Sequence, residues 1–202
     1  MNLKETYNKI AEDWHKGHKQ DAWWVGGVDK FISFLRSGSL VLDVGCGTGL
    51  KSKYLINRGL KVIGIDFSEK MIETAKREVP EGEFWVMDME EAAKLEGNFD
   101  GIFLQAALLH IKKDMVGEVL CKILGRLKKR GYVYIAVKEK KPEGTEEEIK
   151  REENYRYPYE RFFSYITLEE VKEHLEKLGI RTIYESTIPS GNTRWVQVIG
   201  QK

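Results

Sequence analysis

The run Val41-Leu42-Asp43-Val44-Gly45-Cys46-Gly47-Thr48-Gly49 constrains the chain more than any other segment. A short apolar strand enters a glycine-rich turn, and helix-like sequence follows. Glycine admits positive φ and lets a ligand approach the backbone. The start of a helix leaves N–H groups unpaired. A turn built this way can hold a nucleotide-like cofactor. Its spacing departs from the dinucleotide fingerprint G-x-G-x-x-G, because the third glycine comes one residue early and Leu50 stands in its place. That counts against a nicotinamide oxidoreductase. Asp43 precedes the turn, and an acid at the end of a buried apolar strand is costly unless it has a partner.

From this strand onward, apolar runs alternate with amphipathic stretches. Strands are expected at 40–44, 61–65, 84–87, 99–104 and 132–137. Between them lie helices over 48–57, from Ser68 toward Pro80, and over 115–127. In the last of these, Val116, Val119, Leu120, Ile123, Leu124 and Leu127 keep helical spacing. Thr167 with Glu170 forms a capping box for a further helix through Leu178, which Gly179 ends. Two final strands, 180–185 and 194–199, flank a turn at Pro189-Ser190-Gly191-Asn192. The pattern predicts an α/β, Rossmann-like fold. Its sheet is seven-stranded and mostly parallel, with helices on both faces and an antiparallel hairpin at the C-terminal edge. Open sheets of this kind bind ligands beyond the carboxyl ends of their strands.

The chain has 202 residues, which suits one domain with a full core. Within 1–202 the expected segments are an N-terminal lid over 1–38, a cofactor-binding core over 39–138, an aromatic lid insertion over 139–166, and a C-terminal helix and strands over 167–202. A formal net charge of +1 gives no electrostatic footprint for nucleic acid. The only cysteines, Cys46 and Cys121, follow no metal-ligand spacing, so a reduced cytoplasmic protein without a metal is expected. No apolar run approaches a membrane span. His15 and His18, interleaved with Lys16 and Lys19, read as a solvated face rather than a metal pair.

The motif run from Leu40 to Val137 resembles the class I S-adenosylmethionine-dependent methyltransferases. Asp43 to Gly49 resembles the first motif of that family, and Val62-Ile63-Gly64-Ile65-Asp66-Phe67-Ser68 the second. Phe84-Trp85-Val86-Met87-Asp88-Met89 resembles the third, and Phe99-Asp100-Gly101-Ile102-Phe103-Leu104-Gln105 the fourth. Leu127-Lys128-Lys129-Arg130-Gly131 resembles the turn before the fifth strand. The resemblance implies S-adenosylmethionine as cofactor, with S-adenosylhomocysteine as product. It implies a cofactor site of Asp43, Gly45, Cys46, Gly47, Gly49, Asp66, Phe67, Asp88, Met89 and Gln105. A carboxylate at Asp66 suits both ribose hydroxyls. Asp88 is implied as a hydrogen-bond partner of the adenine amino group, Phe67 and Met89 as its apolar walls, and the Gln105 backbone as the seat of the methionine end. Cys46 reads as a small apolar residue under the turn rather than a nucleophile.

The acceptor is expected to meet the parts outside this core. Tyr7 and Trp14 are seven apart and share a helical face. With Tyr157 and Phe163 they could form an aromatic pocket for a planar, apolar or cationic acceptor. His110, in Ala107-Leu108-Leu109-His110-Ile111, is the catalytic candidate. It could act as a base, hold a substrate oxygen, or cap the next helix. A small-molecule acceptor is the main expectation, for a monomer or homodimer without membrane contact. The alternatives are an RNA or protein methyltransferase, or a non-catalytic cofactor-binding regulator. An Asn/Asp-Pro-Pro-aromatic motif would favour nucleobase or protein amines, but Leu104-Gln105-Ala106-Ala107 stands in its place.

Overall fold

In the computed structural model, which describes residues 2–202, the expected sheet is present. Its strands are β1 (Leu40–Val44), β2 (Lys61–Asp66), β3 (Glu83–Val86), β4 (Phe99–Gln105), β5 (Leu127–Lys138), β8 (Arg181–Ser190) and β9 (Thr193–Gln201). They lie in the order β3-β2-β1-β4-β5-β9-β8. The first five are parallel, while β9 runs antiparallel to both β5 and β8. The winding therefore reverses between β1 and β4. The carboxyl ends of β1, β2, β4 and β5 place Val44, Asp66, Gln105 and Lys138 along one edge.

The helices are α1 (Leu3–His18), α2 (Val25–Ile32), α3 (Leu50–Asn57), α4 (Glu69–Glu78), α5 (Val116–Leu124) and α6 (Leu168–Lys177). Alternation along the strands sorts the core into two layers. Leu42, Val44, Ile102, Leu104, Ile135 and Val137 face α5 and α6. Val41, Phe103, Tyr134 and Ala136 face Val28, Phe31 and Leu55 of α2 and α3. Ser68 caps α4 by accepting from the Met71 N–H, and Thr167 with Glu170 forms the expected capping box on α6.

Three local expectations need correction. The helix after Met115 ends at Leu124, and Leu127 opens β5. Leu127 keeps the helical spacing, but Gly125 ends the helix and Leu127 pairs with Phe99 instead. The turn-like Lys128 to Gly131 is an irregularity inside that pairing, with Arg130 at φ +65°. The last two strands run longer than expected, so Pro189 and Ser190 belong to β8 and the turn is Gly191-Asn192.

The segment 139–166 is also more regular than its sequence suggests. It contains an antiparallel pair, β6 (Glu147–Glu152) and β7 (Tyr159–Ser164), outside the main sheet. β7 packs against α1 and the 3₁₀ turn Leu108–His110, so the hairpin and the N-terminal helix meet over the carboxyl edge.

Candidate active site

Over that edge lies a cavity of about 300 Å³. Its floor is the glycine turn. Gly45 sits at φ +70° and Gly47 at φ +54°, a region that side-chain-bearing residues rarely adopt. A Cβ on Gly45 would also lie 2.7 Å from the Cβ of Ala107. The turn is pinned to β2, because the N–H groups of Gly45 and Cys46 both donate to the Ile65 carbonyl.

Two buried acids lie beneath and beside this turn. Asp43 is 2% exposed and accepts a 2.5 Å hydrogen bond from the Ser52 hydroxyl. Burial pushes its carboxyl up to about 7, and the Ser52 bond opposes that shift. Asp66 accepts from the Gly47 N–H at 3.0 Å and from the Ser68 N–H at 2.9 Å, one to each carboxylate oxygen. Burial raises it to about 6, against those two bonds. Each oxygen keeps a second lone pair, and Asp66 faces the cavity.

The rest of the floor is mostly apolar. Cys46, Phe67, Met71, Met89, Ala106 and Ala107 line it, and burial holds the Cys46 thiol well above its usual value. Gln105 lines it too, and its buried side-chain amide has no partner on either atom among the described residues. An unpaired buried amide beside a cavity asks for a polar ligand.

The opposite wall comes from α1 and the hairpin. His110 Nδ1 is 2.8 Å from the Phe162 carbonyl, and Nε2 is 2.6 Å from the Tyr7 hydroxyl. A carbonyl can only accept, so Nδ1 carries the proton and Nε2 accepts from Tyr7. His110 is thus a neutral imidazole with both nitrogens engaged. Burial pulls it down to about 3, opposed by the Phe162 bond. Arg161 makes a forked pair with Glu152, at 2.6 and 2.8 Å, and its third nitrogen donates to the Tyr7 oxygen at 3.3 Å. Lys138 Nζ lies 3.7 Å from the centroid of the Phe163 ring.

Most of the expected site residues converge here. Asp43, Gly45, Cys46, Gly47, Asp66, Phe67, Met89, Gln105, His110, Tyr7, Trp14 and Phe163 all line the cavity. Gly49, Asp88 and Tyr157 do not. Gly49 adopts φ +77° before α3, and a Cβ there would meet Val79 at 3.1 Å. Asp88 is exposed and caps the 3₁₀ turn Met89–Lys94. Tyr157 turns toward α1 and donates to Asp13 at 2.8 Å. His15 is not on a solvated face: it is 3% exposed, and its Nδ1 is 2.9 Å from the Thr48 hydroxyl. His18 stacks on Trp14 with ring centroids 4.3 Å apart and joins the wall. Among the described residues no three His, Cys, Asp or Glu side chains converge as for a metal. No helix among them is long and apolar enough to cross a membrane.

Several cavity residues carry no sequence motif. Lys138, Arg161 and Asp21 are single charges, while Trp23 and Trp195 meet only through the fold, stacked at 4.2 Å. The one available signal was position, since Lys138 ends a core strand.

Comparison with known proteins agrees with this geometry. A family model described as a methyltransferase domain matches residues 41–131. The matched residues carry the glycine turn, Asp66 and Gln105, and the match agrees with the resemblance to the class I S-adenosylmethionine-dependent methyltransferases. Among individual proteins, it is similar to a magnesium-protoporphyrin O-methyltransferase of Rhodobacter capsulatus. The two are 34% identical over 92 residues, covering 43% of this chain and 40% of that protein. It is also similar to a ubiquinone biosynthesis O-methyltransferase of Dechloromonas aromatica. Here the identity is 33% over 120 residues, covering 57% of this chain and 50% of that protein. The chain thus spans half or less of the length of these two relatives. In fold it is similar to a Burkholderia thailandensis 1,6-didemethyltoxoflavin-N1-methyltransferase solved with S-adenosylhomocysteine. That likeness has a TM-score of 0.76 at 19% identity and covers 99% of this chain and 87% of the other. The magnesium protoporphyrin IX methyltransferase of Synechocystis, solved with S-adenosylmethionine, gives a TM-score of 0.75 at 15% identity, over 99% and 95% of the two chains.

Proposed function

We propose that the chain is an S-adenosylmethionine-dependent methyltransferase acting on a small-molecule acceptor. The observation that carries this reading is the meeting of Asp66, the Gly45–Gly47 turn and the unpaired Gln105 amide on one cavity wall. These groups fit the cofactor. Asp66 has lone pairs for the ribose hydroxyls, the glycines admit close approach, and Gln105 supplies a buried donor and acceptor. Phe67 and Met89, which line the cavity, would be the apolar walls for the adenine, and the exposed Asp88 would serve it only from outside the cavity. When bound, the cofactor supplies a methyl group activated on a sulfonium.

The chain's own contribution is positioning and exclusion of water, an effect that can supply roughly 7–11 kcal/mol of a barrier. Tyr7 and Phe163 close over the cavity from α1 and β7, and His110 holds Tyr7 in place through its Nε2. The segments 1–38 and 139–166 act as lids on the core 39–138 within one functional domain. The free Cys46 and Cys121 thiols favour a reducing, cytoplasmic setting.

Calorimetric titration with S-adenosylmethionine, S-adenosylhomocysteine and NAD tests the assignment. Micromolar binding of the adenosyl ligands, about −8 kcal/mol, with none for NAD, is expected. Asp66→Ala should weaken that binding roughly 100-fold, as two lost charge-assisted hydrogen bonds would. Preference for NAD, or undiminished binding by the variant, would refute the assignment.

A further inference from the structure

The two walls of the cavity differ in charge. Asp43 and Asp66 belong to the glycine-turn wall, and Asp21 lies near Lys51. The hairpin wall has no free carboxylate facing the cavity. Of the two acids whose charges act on Lys138, Glu152 is taken up by the forked pair with Arg161 and Glu148 accepts from the Tyr165 hydroxyl, and neither lines the cavity. His110 is neutral by its hydrogen bonds, and the Tyr7 proton is committed to it. What remains is Lys138. It is half-buried and lines the cavity, and among the described residues no carboxylate stands within 4.0 Å of its ammonium. Its ammonium lies over the face of Phe163, a partial substitute for a counter-ion.

We infer that Lys138 is the acceptor-recognition residue of this cavity, and that the acceptor it selects is an organic oxyanion, a carboxylate or a phenolate, on an aromatic body. The inference rests on the methyltransferase reading, since it takes the glycine-turn wall as the cofactor's place. A half-buried cation without a partner is costly, and an anionic ligand removes that cost. Tyr7, partly exposed and lining the cavity beside Arg161, provides ring surface for an aromatic body. An acceptor that arrives ionised also needs no base, which suits a His110 whose accepting nitrogen is already occupied. Burial and the nearby Arg161 hold the Lys138 ammonium down to about 8, with Lys150 adding to the shift and Glu152 and Glu148 opposing it. The selectivity therefore belongs to pH values below about 8.

The test uses the full chain saturated with S-adenosylhomocysteine. Matched probes are titrated by ligand-observed NMR: benzoate against benzamide, and pentafluorophenolate against pentafluoroaniline. Wild type should prefer at least one anion over its neutral partner by roughly tenfold, and the preferred pair tells carboxylate from phenolate. Lys138→Met should abolish the preference and Lys138→Arg should retain it, both with S-adenosylhomocysteine affinity unchanged. The preference should fade as pH rises through about 8, although both anions stay ionised. Equal binding of charged and neutral probes, no binding of either, or a preference that survives Lys138→Met would overturn the inference and leave the cofactor assignment standing. Failure of wild type to bind S-adenosylhomocysteine would overturn both.

Discussion

The two walls of the cavity are built on different principles. The glycine-turn wall is backbone. Its shape comes from positive φ at Gly45 and Gly47 and from main-chain donors to Ile65 and Asp66. It sits on the central strands β1 and β2. The hairpin wall is side chain. Tyr7, His110, Arg161 and Lys138 come from four separate elements and are held by hydrogen bonds and ring contacts between them. A backbone wall tolerates few sequences and fits a ligand that does not change. A side-chain wall can be rewritten one residue at a time, which suits a variable acceptor.

The comparison breaks first at the backbone wall. Gly45→Ala combines a left-handed alanine with a contact to the Ala107 Cβ, and should cost about 2–5 kcal/mol. Urea denaturation would read this as a lower midpoint, and an unchanged midpoint would remove backbone geometry from the account. Ser52→Ala leaves the Asp43 carboxyl buried without its donor and should cost about 1–3 kcal/mol, in the same assay.

The acids of this wall also set a pH dependence. Asp43 and Asp66 bind protons more tightly folded than unfolded. Their contribution is therefore most favourable below 3.8 and declines as pH rises, levelling off above about 7 for Asp43 and about 6 for Asp66. Asp43→Asn should flatten the upper part of that decline in the ligand-free protein. Urea midpoints across the range would check it, and a stability that rises over this window would contradict it.

Smaller effects belong to the hairpin wall. Tyr7→Phe removes two hydrogen bonds, the one donated to His110 and the long one accepted from Arg161, and should cost about 1–2 kcal/mol. Nitrogen-detected NMR should find His110 as the neutral Nδ1–H form in wild type, and a charged imidazole at neutral pH would contradict the hydrogen-bond assignment. Smallest of all, Asp88→Ala should weaken S-adenosylhomocysteine by about 0.5–1.5 kcal/mol, because Asp88 is exposed and outside the cavity. A loss as large as that expected for Asp66→Ala would put Asp88 inside the site.

The same contrast explains what could be read from the sequence. The core strands announce themselves by apolar runs, and the glycine turn, Asp66 and Gln105 follow those strands at fixed places. The hairpin did not announce itself, because Glu147–Glu152 is charged at every position but Ile149 and shows no apolar alternation. His15 looked solvated beside Lys16 and Lys19, yet helical geometry turns it toward Thr48. Ser52 became the partner of Asp43 only when α3 folded back over β1. Lys138 and Arg161 are ordinary charges in the sequence, and only the meeting of β5 and β7 over the cavity sets them side by side. Leu127 kept helical spacing because periodicity alone does not locate the end of a helix.

A crystal structure with S-adenosylhomocysteine tests the central claim most directly. The account predicts ribose oxygens within hydrogen-bond reach of Asp66, the amino-acid end along Gly45 and Gln105, and the sulfur facing the wall of Tyr7 and Phe163. A ligand seated on the hairpin wall, with Asp66 and the glycine turn untouched, would contradict it.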